Sequence, residues 1–415
     1  MDTSSRYNKY DISLFLIIVS TIFGSYGLFH PTTFLSIWFL PLLIRNSYLF
    51  KLKHIKPIIS FLLLWIVYAF VSFLWTPPKA QGVRGIILLL INSLIFLEII
   101  VFATKANRPV QIITKAWVCA FLLTSVIALW EIGFGQHLSS ARIESNSYVD
   151  SHGDVYATVT FYNPNTYCCF MSLSFPFILY RLSQSKGRGQ LFGNIGIVLL
   201  LIFIMSRNSS RGGLLTLLVM ISTYFIFKLK RGSYRKKLFM LLGLTVIVII
   251  FVLYGELLFS TLFYRMSQHD LLEDNARLIL WWSSWLLFVD SNGLGTGVGS
   301  MCYVLGHTDE NPFDVVYSHS MIFEILLEYG VIVAIILFLF LFKLYKNARK
   351  MTDNASKSIV IGSLLSFPLY SVINSENVCL FFMWIFFATL YILSNYSIDN
   401  KVNNENSFCD KRLPV

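Results

Sequence analysis

The chain has 415 residues, of which 56% are hydrophobic and 13% are charged. This composition is typical of polytopic membrane proteins and excludes an ordinary soluble globular protein. The net charge of +11 would suit nucleic acid, but most of it falls in short segments between apolar stretches, where membrane anchoring and orientation explain it better. We therefore expect a single polytopic membrane domain over residues 1–415 and no nucleic-acid partner.

Apolar stretches recur along the chain, and each has roughly the ~20 residues that a spanning helix needs. They predict an all-α integral membrane protein with about twelve transmembrane helices. The predicted spans lie near residues 12–29, 33–50, 56–75, 85–103, 112–134, 165–180, 191–205, 213–228, 238–256, 320–342, 358–374 and 379–395. The first follows Arg6 and Lys9 without a small-residue cleavage pattern, so we interpret it as an uncleaved helix.

Basic residues segregate by side when alternate loops are assigned to opposite faces. About 26 of the 33 Lys and Arg then lie inside, together with both termini and a cytoplasmic tail at 396–415. The outer set consists of Lys79, Arg84, Arg142, Arg207, Arg211, Arg265 and Arg277. It is nearly all Arg, whose planar guanidinium binds phosphate oxygens in a bidentate fork.

Two outer segments, about 135–164 and 257–318, are longer than hairpins require, and long outer loops favour substrate contacts. We expect 257–318, between spans nine and ten, to be an extracytoplasmic catalytic loop that contains short helices. Within it, Asn275–Asp290 fits one helix. One face of that helix would carry Arg277, Trp281, Trp285 and Phe288.

Two interpretations of that face remain open and are compatible. It is an interfacial helix with tryptophans at the headgroup level. Alternatively, Arg277 holds a diphosphate while an indole lies against a sugar or a lipid chain.

A short polar turn carries Arg207 and Arg211 between two strongly apolar helices. The helix after the turn would present its N-terminal amides and its positive dipole end beside Arg211, which favours an anion there. The alternative is a pair of arginines that reach out to lipid phosphates at the membrane edge.

His319 lies at the outer mouth of the tenth span, where an imidazole could take a proton from a hydroxyl group. A histidine at a helix start is also a common capping residue. Glu324 and Glu328 follow one helical turn apart in the same span, and intramembrane carboxylates are costly enough to indicate function. They would orient or counter the arginines, or form a proton relay as in a transporter.

The sequence predicts no metal site and no cofactor. Its six cysteines lack paired metal-ligand spacing. The run from Gly293 to Gly299 lacks the Lys-Ser/Thr ending of a phosphate-binding loop. We interpret it as a flexible turn beneath an interfacial helix.

Four patches, in this order and at these separations, resemble the O-antigen ligase and polysaccharide polymerase superfamily of bacterial membrane glycosyltransferases. The patches are Thr160-Phe161-Tyr162-Asn163-Pro164-Asn165, Ser210-Arg211-Gly212-Gly213, Arg277 with Trp281 and the Gly295/Gly297/Gly299 turn, and His319 with Glu328-Tyr329-Gly330. The resemblance covers roughly residues 60–395. Ser320 stands where Asn often follows the histidine, and Val333 where a second glycine is frequent, so the chain departs from the family pattern at positions that touch acceptor-side packing.

The resemblance implies transfer of a glycan from an undecaprenyl diphosphate carrier to an acceptor hydroxyl, outside the cytoplasmic membrane and without a metal. It implies that Arg211 and Arg277 clamp the donor diphosphate and that His319 is the general base of an inverting displacement. Supporting roles would fall to Arg207, Arg265, Glu324, Glu328, Trp281 and Asn163.

We therefore expect a polymerase of lipid-linked repeat units in the bacterial cytoplasmic membrane, with both termini in the cytoplasm and the active site facing outward. A ligase that passes the same glycan to a lipid core, a protein or a wall polymer is the first alternative. A flippase of the same lipid is the second. The expected partners are the donor, a glycan acceptor, membrane lipids, and a chain-length regulator and flippase of the same pathway.

Overall fold

A computed structural model describes residues 7–24, 30–138, 155–229, 271–313 and 315–409. Within these residues every secondary-structure element is helical. The first eight α-helices are α1 Lys9–Val19, α2 Pro31–Arg45, α3 Lys56–Ser72, α4 Lys79–Lys105, α5 Pro109–Phe134, α6 Pro164–Ser183, α7 Arg188–Arg207 and α8 Arg211–Leu229. The remainder are α9 Leu271–Asp290, α10 Met301–Gly306, α11 Met321–Lys350, α12 Asn354–Leu365, α13 Phe367–Tyr370 and α14 Phe381–Cys409. Short 3₁₀ helices span Ser20–Phe23 and Ser47–Lys51.

Five of these helices, α4, α5, α7, α8 and α11, are long and apolar enough to cross a membrane, and α2, α3 and the Phe381–Asn395 part of α14 are shorter apolar helices. This pattern agrees with a multi-pass membrane protein. The count of twelve spans stays a prediction. The predicted span at 238–256, together with Arg142 and Arg265, lies outside the described residues.

Buried aromatic rings hold the helices together around α14. The ring centroids of Trp65 in α3 and Trp384 in α14 are 5.1 Å apart. Phe61 of α3 stacks on Phe340 of α11 with ring centroids 4.7 Å apart. Such rings bury a large apolar area with a defined geometry. Apolar side chains on the outer surface of the bundle remain exposed and would face lipid, among them Trp38, Leu64, Leu199, Phe203 and Phe338.

The expected eleventh span at 358–374 is wrong as one continuous helix. α12 ends at Leu365, α13 covers only Phe367–Tyr370, and residues 371–380 are non-helical. Pro368 explains the break, because proline has no N–H for the helical ladder and its ring clashes with the carbonyl four residues earlier. The non-helical residues after this break form part of the candidate site.

The glycine run is a packed turn and not a flexible one. Gly293, Gly295, Gly297 and Gly299 all have positive φ angles. α11 is interrupted at Gly330, whose φ is 66°, and the turn supplies the hydrogen bonds that the helix loses there. The N–H of Thr296 donates to Leu327 O at 2.6 Å, that of Gly297 to Glu328 O at 3.0 Å, and that of Val331 to Gly293 O at 2.9 Å.

Candidate functional site

Residues 371–378, which we call the junction segment, contact two of the expected site residues and lie beside the start of α8. Arg277 of α9 donates from Nη1 to the carbonyl of Val372 at 3.4 Å. The Nδ1 atom of His319 lies 3.3 Å from the Ser375 hydroxyl. Beside Arg211, a Cβ atom on Gly212 would lie 3.4 Å from Ile373 Cγ1. Helices far apart in sequence thus bring Arg277, His319 and the first turn of α8, which carries Arg211, to one short segment.

His319 is fixed by the turn that opens α11. The indole of Trp281 donates to Ser318 O at 2.9 Å, and the Ser320 side chain caps the helix at the N–H of Phe323. His319 itself has a φ of 49°, in the left-handed region that a non-glycine residue occupies only when its surroundings hold it there. Trp281 therefore contributes to the site by holding the turn beside the imidazole.

The environment of His319 disfavours its charged form. Burial, and to a lesser degree the guanidinium of Arg277, lower the pKa of His319 to about 4. The ring is neutral at neutral pH. With Nδ1–H donating to Ser375, Nε2 would keep a lone pair for a proton.

Glu324 and Glu328 bind main-chain N–H groups. Glu324 accepts the N–H groups of Asn377 at 2.8 Å and Val378 at 3.1 Å, at the end of the junction segment. One turn further along α11, Glu328 accepts the N–H of Met301, at the start of α10, at 3.1 Å. Both carboxylates are buried, and each connects α11 to a different non-helical segment. Neither forms an ion pair with an arginine among the described residues, and the expected roles of orienting the arginines or of relaying protons stay predictions.

Arg207 and Arg211 flank a tight turn from the end of α7 to the start of α8. Asn208 shapes the turn: its side chain accepts the N–H of Ala157 at 2.7 Å and donates to the carbonyl of the same residue at 2.9 Å. Arg211 is exposed and is the first residue of α8, at the end of the helix that carries its free N–H groups.

Asn163 caps α6, where its side-chain oxygen accepts the N–H of Asn165 at 2.7 Å. The first turn of α6 also reaches the junction segment, because the Thr166 hydroxyl donates to the Asn374 side chain at 2.6 Å. Asn163 therefore acts on the site through the position of this helix.

Sequence reasoning missed Ser375, which contacts His319, and its neighbour Glu376. Ser375 and Glu376 lie in the short stretch between two predicted spans, where loop length gave no signal. Polar residues in an outer turn that is otherwise flanked by apolar sequence are the feature that would have pointed to them. Among the described residues, no group of three or more His, Cys, Asp or Glu is arranged to hold a metal ion.

The fold and this arrangement define a class of multi-pass membrane protein, and comparison with known families agrees. Residues 195–339 match the O-antigen ligase family model, and that stretch includes Arg207, Arg211, Arg277 and His319. The chain is also 27% identical over 361 residues to the teichuronic acid biosynthesis protein TuaE of Bacillus subtilis (strain 168), covering 82% of this chain and 72% of that protein. The chain is thus similar to the O-antigen ligase family and to a teichuronic acid biosynthesis protein, which confirms the resemblance found in the sequence.

Proposed function

We propose that the protein polymerises undecaprenyl-diphosphate-linked oligosaccharide repeat units into a cell-surface polysaccharide, on the outer face of the cytoplasmic membrane. The observation that carries the proposal is the convergence of Arg277, His319 and the start of α8 on the junction segment. The family match and the similarity to a teichuronic acid biosynthesis protein support a role in polysaccharide biosynthesis.

The reaction is a single inverting displacement. An acceptor hydroxyl oxygen attacks the anomeric carbon of the donor glycan, and the bond from that carbon to the diphosphate oxygen breaks. His319 takes the hydroxyl proton at Nε2. Arg211 and Arg277 stabilise the negative charge that develops on the leaving undecaprenyl diphosphate, which is the largest electrostatic demand of the reaction. No metal ion is needed in this scheme.

The site lies against an outer rim where the α9 tryptophans face out of the bundle. Trp282 and Trp285 are exposed. Trp281 instead donates to Ser318 O in the turn before α11, and its ring centroid lies 5.7 Å from that of Phe323. Indole rings of this kind concentrate at the headgroup level of a bilayer, where a lipid-linked donor presents its diphosphate. The exposed Trp282 and Trp285 suit the headgroup-level interpretation, and the diphosphate interpretation rests on Arg277; both stay predictions.

A ligase is the second candidate, favoured by the description of the matching family. It would use the same donor and the same three residues, and it differs in the acceptor. Its acceptor would be a lipid core, a protein or a wall polymer instead of another repeat unit.

The test is an in vitro reaction with purified protein in lipid nanodiscs and lipid-linked repeat units extracted from the producing cells, without a further acceptor. A glycan ladder that is lost in His319→Ala is expected. His307→Ala is the matched control, because His307 is exposed at the end of α10 and bonds to Tyr303 O at 2.8 Å, away from the junction segment.

No ladder from folded wild-type protein would overturn the polymerase. Transfer that appears only after a lipid, protein or wall acceptor is added would identify a ligase. Movement of the lipid across the bilayer without any transfer would identify a flippase.

A further inference from the structure

A second polar cluster lies at the other end of the junction segment from the arginine contacts. It consists of Arg84, in the second turn of α4, Tyr317, two residues before His319, and Glu376, directly after Ser375. We call these residues the outer triad. Electrostatic interactions connect Glu376 to Arg84 and to the Tyr317 hydroxyl. The junction segment thus meets Arg277 at Val372, His319 at Ser375 and the triad at Glu376.

The start of α4 is held rigidly beside the site. A Cβ atom on Gly85, the neighbour of Arg84, would lie 3.0 Å from Val298 Cγ2 and 3.2 Å from Gly299 N in the glycine turn. This close approach fixes the backbone that carries Arg84. Glu328 in turn ties the start of α10 to α11, beside that turn.

The outer triad is closed only in part by its own contacts, because the Tyr317 hydroxyl bonds to the Glu376 carboxylate but Arg84 forms no ion pair with it in the part of the chain that the structure describes. Among the described residues, no nitrogen of Arg84 comes within 4.0 Å of a Glu376 carboxylate oxygen. The Glu376 carboxylate accepts no main-chain N–H in the described parts of the chain, unlike Glu324 and Glu328, whose carboxylates do. Arg84 is exposed, whereas Tyr317 and Glu376 are half-buried. The guanidinium of Arg84 therefore acts on the Glu376 carboxylate electrostatically without an ion pair between these two described side chains.

Displacement chemistry determines which substrate belongs on which side. In an in-line displacement the attacking oxygen and the leaving oxygen lie on opposite sides of the anomeric carbon. With the leaving diphosphate at Arg211 and Arg277, the acceptor must approach His319 from the opposite side. Along the junction segment, that side is the Glu376 end.

We propose that Arg84, Tyr317 and Glu376 bind the hydroxyl groups of the acceptor sugar and direct the attacking hydroxyl toward His319. The proposal rests on the proposed function and adds the acceptor subsite to it. A carboxylate accepts hydrogen bonds from sugar hydroxyls, and a guanidinium donates to their oxygens, so the triad can hold adjacent hydroxyls from both directions. The acceptor class is a neutral, hydroxyl-rich sugar end, for which no diphosphate contact is needed.

The protonation state of Tyr317 suits this role. Burial raises the pKa of Glu376, and Arg84 and the Tyr317 hydroxyl act against that rise. Burial and the nearby Glu376 raise the pKa of Tyr317, so its hydroxyl keeps its proton and serves as a donor.

The test separates the two substrates. The donor is the extracted lipid-linked repeat unit, and the acceptor is the repeat-unit oligosaccharide released from it by mild acid, which carries neither lipid nor phosphate. Full-length wild type, Glu376→Gln, Tyr317→Phe and Glu310→Gln are assayed in nanodiscs, varying one substrate while the other is kept constant. Glu310 is the matched control, because it is an exposed acid in the segment between α10 and α11. The Ser283 hydroxyl donates to the main-chain carbonyl of Glu310 and not to its carboxylate.

For Glu376→Gln we expect an acceptor KM about tenfold above wild type, as for the loss of one charge-assisted hydrogen bond, with the donor KM unchanged. Tyr317→Phe should raise the acceptor KM about threefold, as for one neutral hydrogen bond, because its ring can stay packed among Met301, Leu305 and Leu327. Glu310→Gln should match wild type in both constants. If Glu376→Gln fails to fold, Tyr317→Phe decides the matter.

An acceptor KM that stays at the wild-type value in the folded variants would overturn the subsite, as would an equal rise in both KM values. A fall in kcat alone would also overturn it and would assign Glu376 to the chemical step. If folded wild-type protein transfers no glycan to any acceptor, the proposed function itself fails and the subsite fails with it.

Discussion

The carboxylate of Glu324 accepts the main-chain N–H of Asn377 at 2.8 Å, so a buried acid on α11 fixes the position of the loop that carries Ser375. Val378 donates to the second carboxylate oxygen at 3.1 Å. His319 precedes the same helix and contacts the same loop. Glu324 therefore holds His319 and the junction segment in one geometry, without itself contacting the imidazole by any hydrogen bond in the described structure.

Glu324→Gln should lower kcat/KM by at least tenfold. The glutamine amide nitrogen would face one main-chain N–H in place of an oxygen, and leaving a buried donor unsatisfied costs about 1–3 kcal/mol. The loss should displace the junction segment relative to His319. The measurement is kcat/KM for glycan transfer, with the thermal unfolding midpoint recorded on the same samples.

Glu328→Gln is the matched control for that prediction. It is buried one turn away on α11, but it holds the start of α10 and not the junction segment. Its unfolding midpoint should fall by a similar amount while kcat/KM stays within about threefold of wild type. Equal losses of activity in the two variants would mean that Glu324 stabilises the fold without a specific effect on the junction segment.

Acid should inactivate the protein through His319. A base must be neutral, and the pKa of His319 is lowered to about 4, so kcat/KM should fall as the pH drops through that value. A bound diphosphate brings negative charge beside Arg277 and favours the imidazolium, so the acidic limb of kcat should lie at a higher pH than the limb of kcat/KM.

Arg277→Gln should change the pH dependence that His319 sets. Removing the guanidinium removes the smaller of the two causes of the lowered pKa, so the acidic limb of kcat/KM should move to higher pH. Activity at neutral pH should fall at the same time, because a diphosphate contact is lost. A lower rate with an unmoved limb would contradict the placement of Arg277 beside the imidazole.

The local parts of this site could be predicted from sequence, because short-range periodicity encodes them. The spacing of Arg277 and Trp281 is a property of one helix, and α9 contains both as expected. The junction segment could not be predicted in this way. Its position depends on a helix break at Pro368 and on Glu324, which is 53 residues from Asn377 in the chain. Apolar composition alone extends a predicted span through such a break.

The same limit explains the glycine run. Alternating glycines indicate conformational freedom in the unfolded chain, and a flexible turn is the ordinary inference from them. The close approach of Gly295 to Gly330 is a tertiary contact between segments that are both locally permissive. Only the folded backbone reveals that the freedom is used for close packing.

Arg277→Lys should reduce kcat/KM for the donor by about 10- to 100-fold although the charge is kept. An ammonium cannot reproduce the bidentate geometry of a guanidinium on a diphosphate. The lysine variant would also lose the bond from Arg277 Nη1 to the Val372 carbonyl. Arg211→Lys should behave in the same way, and donor titration in nanodiscs measures both.

Arg188→Lys is the control for these two variants. Arg188 is exposed at the start of α7, the opposite end of that helix from Arg207, so the substitution should leave donor kinetics unchanged. If kcat/KM for the donor stays at the wild-type value in both Arg211→Lys and Arg277→Lys, these arginines do not bind the donor diphosphate.

Gly330→Ala should destabilise the protein by about 2–4 kcal/mol, combining left-handed backbone strain with overpacking. The φ of Gly330 is 66°, and an added Cβ atom would overlap the carbonyl groups of Gly293 and Leu294. Titration with SDS measures the free energy of unfolding, and transfer activity should fall with it because α11 carries His319 at its start.

Gly193→Ala in α7 is the control for this variant. Nothing lies within 4 Å of the added Cβ atom, and alanine favours the helix by up to about 1 kcal/mol. Wild-type stability in Gly330→Ala would mean that the glycine turn does not hold the interrupted part of α11.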